Sequence, residues 1–213
     1  MGVSGRPLRV TGRFLCPLCG MDFEDPLPAP GPPAGMESDT RPLFFGEDPL
    51  PFLVHTCPGC AYSAGKEGFC QPLPGRLRAW VLSGGLGRLQ DPAPSRRFTL
   101  AARCKEKSGG TAEEVGDLYL AASWAARVEG DRAMARLSRA RALHALTRVL
   151  AEGRLGPDSE ARARYLAGEL LRLQGEFSRA QVFLASVEHP AWASHAARAL
   201  ELARRGEEDL FRF

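Results

Sequence analysis

The sequence predicts a mainly α fold, a run of helical hairpins preceded by a small, proline-rich β module. Three observations carry that expectation. Fifteen of the 17 prolines lie before residue 95, and only Pro157 and Pro190 follow. A proline inside a helix removes a donor and clashes with the preceding turn, so the first half cannot be chiefly helical. From Ser95 onward apolar residues recur at helical spacing between glycine stops. The first half also carries two copies of one short motif, Cys16-Pro17-Leu18-Cys19 and Cys57-Pro58-Gly59-Cys60.

In order along the chain, residues 8–15 (Leu8, Val10, Phe14, Leu15) and 52–56 (Phe52, Leu53, Val54) read as short strands running into these two motifs. Each motif is a knuckle, with two thiols on a tight turn that aim at one point. Four thiolates from two such turns form the tetrahedral sulfur cage that zinc prefers. Cys16, Cys19, Cys57 and Cys60 are therefore the expected ligands of a structural zinc, with iron as the alternative because sulfur cages accept both metals. Gly20, after the first knuckle, can take the left-handed conformation that turns backbone N–H groups toward the sulfurs. Ala61 holds that place in the second knuckle and is expected to be more strained. Residues 26–35 read as a mobile proline/glycine insertion, from which Asp39-Thr40-Arg41-Pro42 returns the chain. His55 is expected to be structural, and Cys70 and Cys104 to be small buried hydrophobes.

This module has few large apolar residues and could hardly fold on core burial alone. Structural zinc contributes about 10–16 kcal/mol in small peptides, against about 5–15 kcal/mol for the stability of a whole domain. Metal is thus the expected reason why residues 1–70 fold. A connector with at most one short helix should span 71–94, and a helical domain 95–206.

Ser95 is the expected cap of a first helix in that domain, ending at Gly109-Gly110. Thr111 and Glu114 form a capping box for a helix through Leu118, Ala121, Ala125 and Val128. Asp131 caps the next, whose apolar face is Ala133, Leu137, Ala140, Leu143, Leu146 and Leu150. Its Arg132, Arg136 and Arg139 share another face, expected to be simply solvated. Asp158 or Ser159 starts a fourth helix, Gly175 turns the chain into a fifth, and Pro190 begins a sixth that ends at Gly206.

Gly130-Asp131-x-x-x-Ala135 recurs 45 residues later as Gly175-Glu176-x-x-x-Ala180, and Ser123 and Gly168 sit seven positions before the turn glycines. The small residue lets two helices approach, the glycine turns, and the alanine packs back. Gly168-x6-Gly175-x4-Ala180 in particular resembles the tetratricopeptide repeat, though the period is longer than that repeat's usual ~34 residues. Short solenoids present the first helix of each pair on a concave side. Arg127, Glu169 and Arg172 are accordingly the expected exposed contacts for a protein or peptide partner.

Charge narrows the function. Residues 1–70 carry five basic and eight acidic side chains, and 71–107 eight basic and two acidic, in a chain of formal net charge +3. The acidic module is a poor grip for a phosphate backbone. Nucleic-acid binding through the basic 76–107 segment, with Trp80 and Phe98, is the second reading. No HExxH, GxSxG or GxxxxGKS spacing marks an enzyme. No signal-peptide core and no apolar run of ~18 residues occurs, and six cysteines suit a metal site better than disulfides here. The expectation is a cytoplasmic, non-enzymatic interaction scaffold with no membrane partner.

The chain also resembles an uncharacterised bacterial family, domain-of-unknown-function family 2225. The stretches that carry the resemblance are Phe14 to Gly20 with Phe23, Val54 to Tyr62 up to Phe69, Tyr119 to Arg127, and Tyr165 to Arg172. It spans about residues 14–205, with Ala61 standing where the family has glycine. The resemblance implies paired zinc knuckles, zinc-ribbon-like in kind, followed by tetratricopeptide-like helices, and no catalytic residues. The knuckles are similar to those of rubredoxins as well, which implies an iron electron carrier, but 37 residues separate Cys19 from Cys57, more than in those compact proteins.

Overall fold

Each knuckle forms the turn of a β-hairpin in the computed structural model, which describes residues 10–87 and 92–213. Leu8 of the predicted first strand and residues 88–91 of the predicted connector, which contribute Arg88 and Asp91 to the charge counts, lie outside the described residues. Strand β1 (Thr11–Leu15) pairs antiparallel with β2 (Asp22–Pro26), Phe14 opposite Phe23. A second hairpin joins β3 (Pro33–Met36) to β4 (Pro42–Phe44), and a third joins β5 (His55–Thr56) to β6 (Ser63–Ala64) across the second knuckle. The proline/glycine stretch expected to be a mobile insertion therefore leads into a strand. That strand gains a further neighbour from the C-terminus. Met36 and Phe213 exchange backbone hydrogen bonds (3.1 and 3.0 Å), and Ser38 N–H donates to the Phe211 carbonyl at 2.8 Å.

Seven helices follow among the described residues, α1 (Gly75–Leu82), α2 (Pro94–Ser108), α3 (Ala112–Glu129), α4 (Arg132–Glu152), α5 (Pro157–Arg172), α6 (Phe177–Ala185) and α7 (Pro190–Arg205). The Thr111–Glu114 capping box forms, and Asp131 caps α4 by accepting from Met134 N–H at 2.9 Å. Ser95 is not a cap. Pro94 opens α2, and the Glu129 carboxylate at the end of α3 accepts from both Ser95 N–H (2.8 Å) and Ser95 Oγ (2.5 Å). Helix α5 likewise opens at Pro157 rather than at Asp158 or Ser159. Between α5 and α6 the small-residue logic of the sequence holds, because a methyl on Gly168 would stand 2.6 Å from Leu184 Cγ. Ala180, Ser123 and Ala135 are all buried.

Helix α2 ties the molecule together by contributing to three apolar cores. Ala102 faces the large core of α3–α7, and Phe98 and Ala101 meet Leu50, Val54 and α3. Leu100 and Cys104 join Leu77 and Val81 of α1 against Phe14, Leu18, Tyr62, Phe69 and the cysteines Cys16, Cys57 and Cys60. The core of the knuckles therefore continues across the boundary expected at residue 70.

Polar side chains are buried where β3–β4 meets the helices. Ser38 and Asp39 have no exposure, and Glu37 and Thr40 little. Tyr165 Oη donates to the Ser38 carbonyl at 2.7 Å, Arg127 pairs with Glu37, and Arg127 approaches Asp39 at 3.9 Å. Thr40 takes a left-handed φ of 64°, strained for a β-branched residue. Burial pushes the Asp39 carboxyl up from its ordinary 3.8 to about 6, with Arg127 opposing the shift.

Glu169 and Arg172 are not the exposed contacts that the helical pattern suggests; both side chains have no exposure at all. Arg172 clamps Glu169 with two hydrogen bonds, 2.8 and 2.6 Å, and donates to the carbonyls of Glu207 (2.5 Å) and Asp209 (2.9 Å). The pair sits inside the hairpin stack because α5 is apolar on every side around it, with Leu166, Ala167, Leu170 and Leu171 fully buried. Arg127 is half-buried and committed to Glu37.

Two outcomes follow from these buried charges. Arg172→Ala leaves Glu169 buried without a partner and should cost about 3–5 kcal/mol in chemical denaturation, whereas Glu169→Leu/Arg172→Met should cost clearly less. A single-variant loss under about 1 kcal/mol contradicts the buried pair. Asp39 binds its proton more tightly in the native state, so its contribution to stability is full below pH 3.8 and is lost as pH rises through about 6. Asp39→Asn lacks this loss. Its stability relative to wild type should rise between pH 4 and 7 by on the order of 2–3 kcal/mol, and a flat difference across that window overturns the reading.

Candidate metal centre

The two knuckles have the same backbone. Gly20 N–H donates to the Cys16 carbonyl at 2.9 Å and Ala61 N–H to the Cys57 carbonyl at 2.8 Å. Cys16 and Cys57 then donate to the carbonyls of Met21 and Tyr62, each at 2.8 Å. Gly20 has φ 76° and Ala61 φ 61°. Alanine thus accepts the left-handed conformation expected of it, at a cost of about 1–2 kcal/mol. Gly59 is constrained by proximity, since a methyl there would lie 3.0 Å from the Met21 thioether and 3.5 Å from Cys19 Sγ.

These turns bring all four sulfurs within 4.8 Å of one another. Cys16 and Cys60 are 3.6 Å apart, and Cys19 and Cys57 3.5 Å, so the close pairs run between knuckles. A metal–sulfur bond of about 2.3 Å places tetrahedral neighbours about 3.8 Å apart. The donor set and its spacing fit a four-coordinate metal ion.

The electrostatics agree with the spacing. Hydrogen bonds from Cys57 and then Cys60 hold the Cys16 thiol well below the usual thiol range. Cys57 is pushed up by donating a hydrogen bond to Cys16, and Cys60 is pushed up by hydrogen bonds to Cys16 and then Cys57. One thiolate forms readily, and its charge opposes the next. Backbone N–H groups of Leu18 and Cys19 aim at the Cys16 sulfur, those of Gly59 and Cys60 at Cys57, and that of Tyr62 at Cys60. Such donors favour thiolates, but a cation is needed to hold four. Cys16 and Cys57 are buried, Cys60 is half-buried and Cys19 is exposed, so one edge of the cluster faces water.

Aromatic packing supports the knuckles from below. Phe14 stacks on Phe23 at 5.4 Å and lies 4.2 Å from the His55 ring, with Phe69 edge-on to both phenylalanines. His55 Nδ1 is 2.9 Å from Asp25 Oδ2, and Arg97 of α2 grips both Asp25 oxygens at 3.2 and 3.0 Å. His55 is thus structural, as its strand position indicates. Asp25 was not distinguishable by sequence, since a lone acid beside a proline carries no signal of burial. Cys104 is buried, which pushes its thiol up to about 11, whereas Cys70 is exposed rather than buried.

Comparison with family profiles, with curated proteins and with solved structures finds no match for this chain.

Because Cys16, Cys57 and Cys60 share a core with α1 and α2, losing the metal site should not stay local. Cys57→Ser is expected to remove amide-exchange protection from β5, β6, α1 and α2 together, while α5 to α7, which lie in the other core, keep theirs. Unchanged protection in α2 separates the knuckles from the helices and contradicts the shared core.

Proposed function

We propose that this chain is a non-enzymatic interaction scaffold in which zinc, held by Cys16, Cys19, Cys57 and Cys60, fixes the N-terminal module against the helices. The observation that carries the reading is the closed donor set. Four cysteine sulfurs within 4.8 Å fill every position of a tetrahedral site, whereas catalytic zinc keeps one for water or substrate. All six cysteines are unpaired, which suits a reducing, cytoplasmic compartment. The zinc-ribbon-like description of the hairpins, the tetratricopeptide-like description of α3 to α7 and the resemblance to family 2225 belong to the same proposal. The close α5–α6 crossing at Gly168 supports the second of these.

A groove of about 630 Å³ between α2, α3 and α4 supports a protein or peptide partner. Arg103, Arg141, His144 and Arg148 line it with Tyr119, and Glu106 is its one carboxylate. An acidic segment is the complementary ligand. This groove takes the place of the contact surface expected at Glu169 and Arg172. In the nucleic-acid reading the basic 76–107 segment would need free cations and a free aromatic face. Trp80 instead lies under Arg103 (5.3 Å) and Lys107 (5.5 Å), and Arg76 donates to the Ser108 carbonyl.

Protein purified without chelator should contain one zinc per chain and be colourless, and the Cys57→Ser chain should contain none. Iron in that ratio, with its visible thiolate absorption, replaces the zinc reading with the electron-carrier one. Metal well below one per chain overturns the site. A partner that binds through the groove should be retained by wild type and lost from Arg141→Glu/Arg148→Glu at unchanged melting temperature.

A further inference from the structure

The arginine stripe of α4 is solvated as expected at Arg132 and Arg136, which are exposed, but Arg139 is half-buried. Arg132, Arg136 and Arg139 line a cavity of about 690 Å³ beside the α3–α4 turn, together with Arg127 of α3 and with Glu208 and Asp209 of the C-terminal tail. The space is large enough for a small metabolite. We infer that this cavity is a binding site for a small phosphate-bearing molecule, a phosphate ester or pyrophosphate, with the anion held by Arg132, Arg136 and Arg139.

Three features support the assignment. First, the stripe is electrostatically unfavourable when empty. The arginines stand at i, i+4 and i+7 on the first two turns of α4, where like charges at i,i+4 repel and the helix end is already positive. Asp131 caps one N–H there, and Glu208 and Asp209 on the cavity wall offset only part of the charge of the three α4 arginines. Second, the guanidinium donors are largely unspent. Arg132 and Arg136 are exposed and have no hydrogen-bond or ion-pair partner among the described residues. Arg139 makes one bond, from Nη1 to the Leu173 carbonyl at 3.2 Å, and the Nε groups of Arg127 and Arg139 are buried without acceptors. Each guanidinium carries five N–H donors, so the wall offers many more than it uses. Third, Arg139 is only partly compensated. Burial lowers its pKa most, Asp39, Glu169 and Glu208 oppose this, and the like charge of Arg127 adds to it. A bound anion would act in the same sense as the acids.

The ligand class follows from shape and number. One guanidinium fork satisfies a carboxylate, whereas several converging forks suit the tetrahedral oxygens of phosphate. The tail carboxylates oppose a long polyanion along that wall and leave a small one room in the cavity. They can also accept from hydroxyl groups of the ligand.

Inorganic pyrophosphate is the probe, titrated calorimetrically into the metal-loaded full chain. Saturable binding to one site per chain is expected, weakened at least about tenfold in Arg132→Ala/Arg136→Ala by loss of charge-assisted hydrogen bonds. Arg148→Ala, in the α2–α4 groove, should leave the affinity unchanged. Without pyrophosphate the double variant should melt no lower than wild type, since both side chains are exposed and repelled. Absence of binding at millimolar pyrophosphate overturns the inference, as does equal affinity in the double variant. Tighter binding of single-stranded DNA than of pyrophosphate, lost in the same variant, also overturns it and assigns the arginines to a nucleic-acid surface.

Discussion

Four sulfurs within 4.8 Å of one another impose the constraint on which the N-terminal half depends. Four thiolates at that spacing repel one another, so each further charge meets one already present. A cation at the centre converts that repulsion into four bonds and fixes two turns that are otherwise far apart in sequence. The knuckles can then carry strain, as at Ala61, whose left-handed backbone copies Gly20. They also position Phe14, Phe69 and Tyr62, whose other faces meet α1 and α2. The sulfur cage is consequently a part of the main framework, because α2 passes its influence from this core to the two others.

A second joint, made of buried charge, ties the far end of the chain to the same module. Arg172 holds the tail by the carbonyls of Glu207 and Asp209, the tail pairs with β3, and Glu37 at the end of β3 meets Arg127. Buried ion pairs contribute little net stability over an apolar replacement, and breaking one is costly. Their effect here is geometric. An apolar tail could pack on the helices in several registers, whereas Arg172 accepts only one that presents two carbonyls to its free N–H groups. Asp39 illustrates the cost of such an arrangement, since one of its oxygens is buried without a hydrogen bond.

Much of this was legible wherever the signal was local. Both knuckles, the Thr111–Glu114 box, the Asp131 cap and the glycine stops depend on residues a few positions apart, and the helices begin and end within a residue or two of where those signals place them. Features that depend on distant partners were not. The cap on α2 comes from Glu129, 34 residues away, so Ser95 looked self-sufficient. Glu169 and Arg172 have the look of surface charges in the sequence because charged residues are usually exposed. The contrary signal was present in their surroundings, because a helix apolar on all sides is a buried one, and residues 166–173 leave no polar face on which to place a charge. Nothing in the composition of residues 207–213 indicates that they return to β3.

The tail links the two joints to the arginine cavity. Glu208, on the cavity wall, lies between the two residues whose carbonyls Arg172 grips, and a methyl on Gly175 would come within 2.9 Å of its carboxylate. The buried clamp therefore sets where the tail carboxylates stand relative to Arg132, Arg136 and Arg139. Helix α4 supplies the cations and α5 holds the tail that supplies the anions, and Leu173 at the α5–α6 turn lines the same cavity. The tail acids are held in place by the Arg172 clamp and not by the α4 arginines. The arginines are thereby left with donors to spare, whereas in an ordinary surface network the neighbouring acids would have moved in to use them.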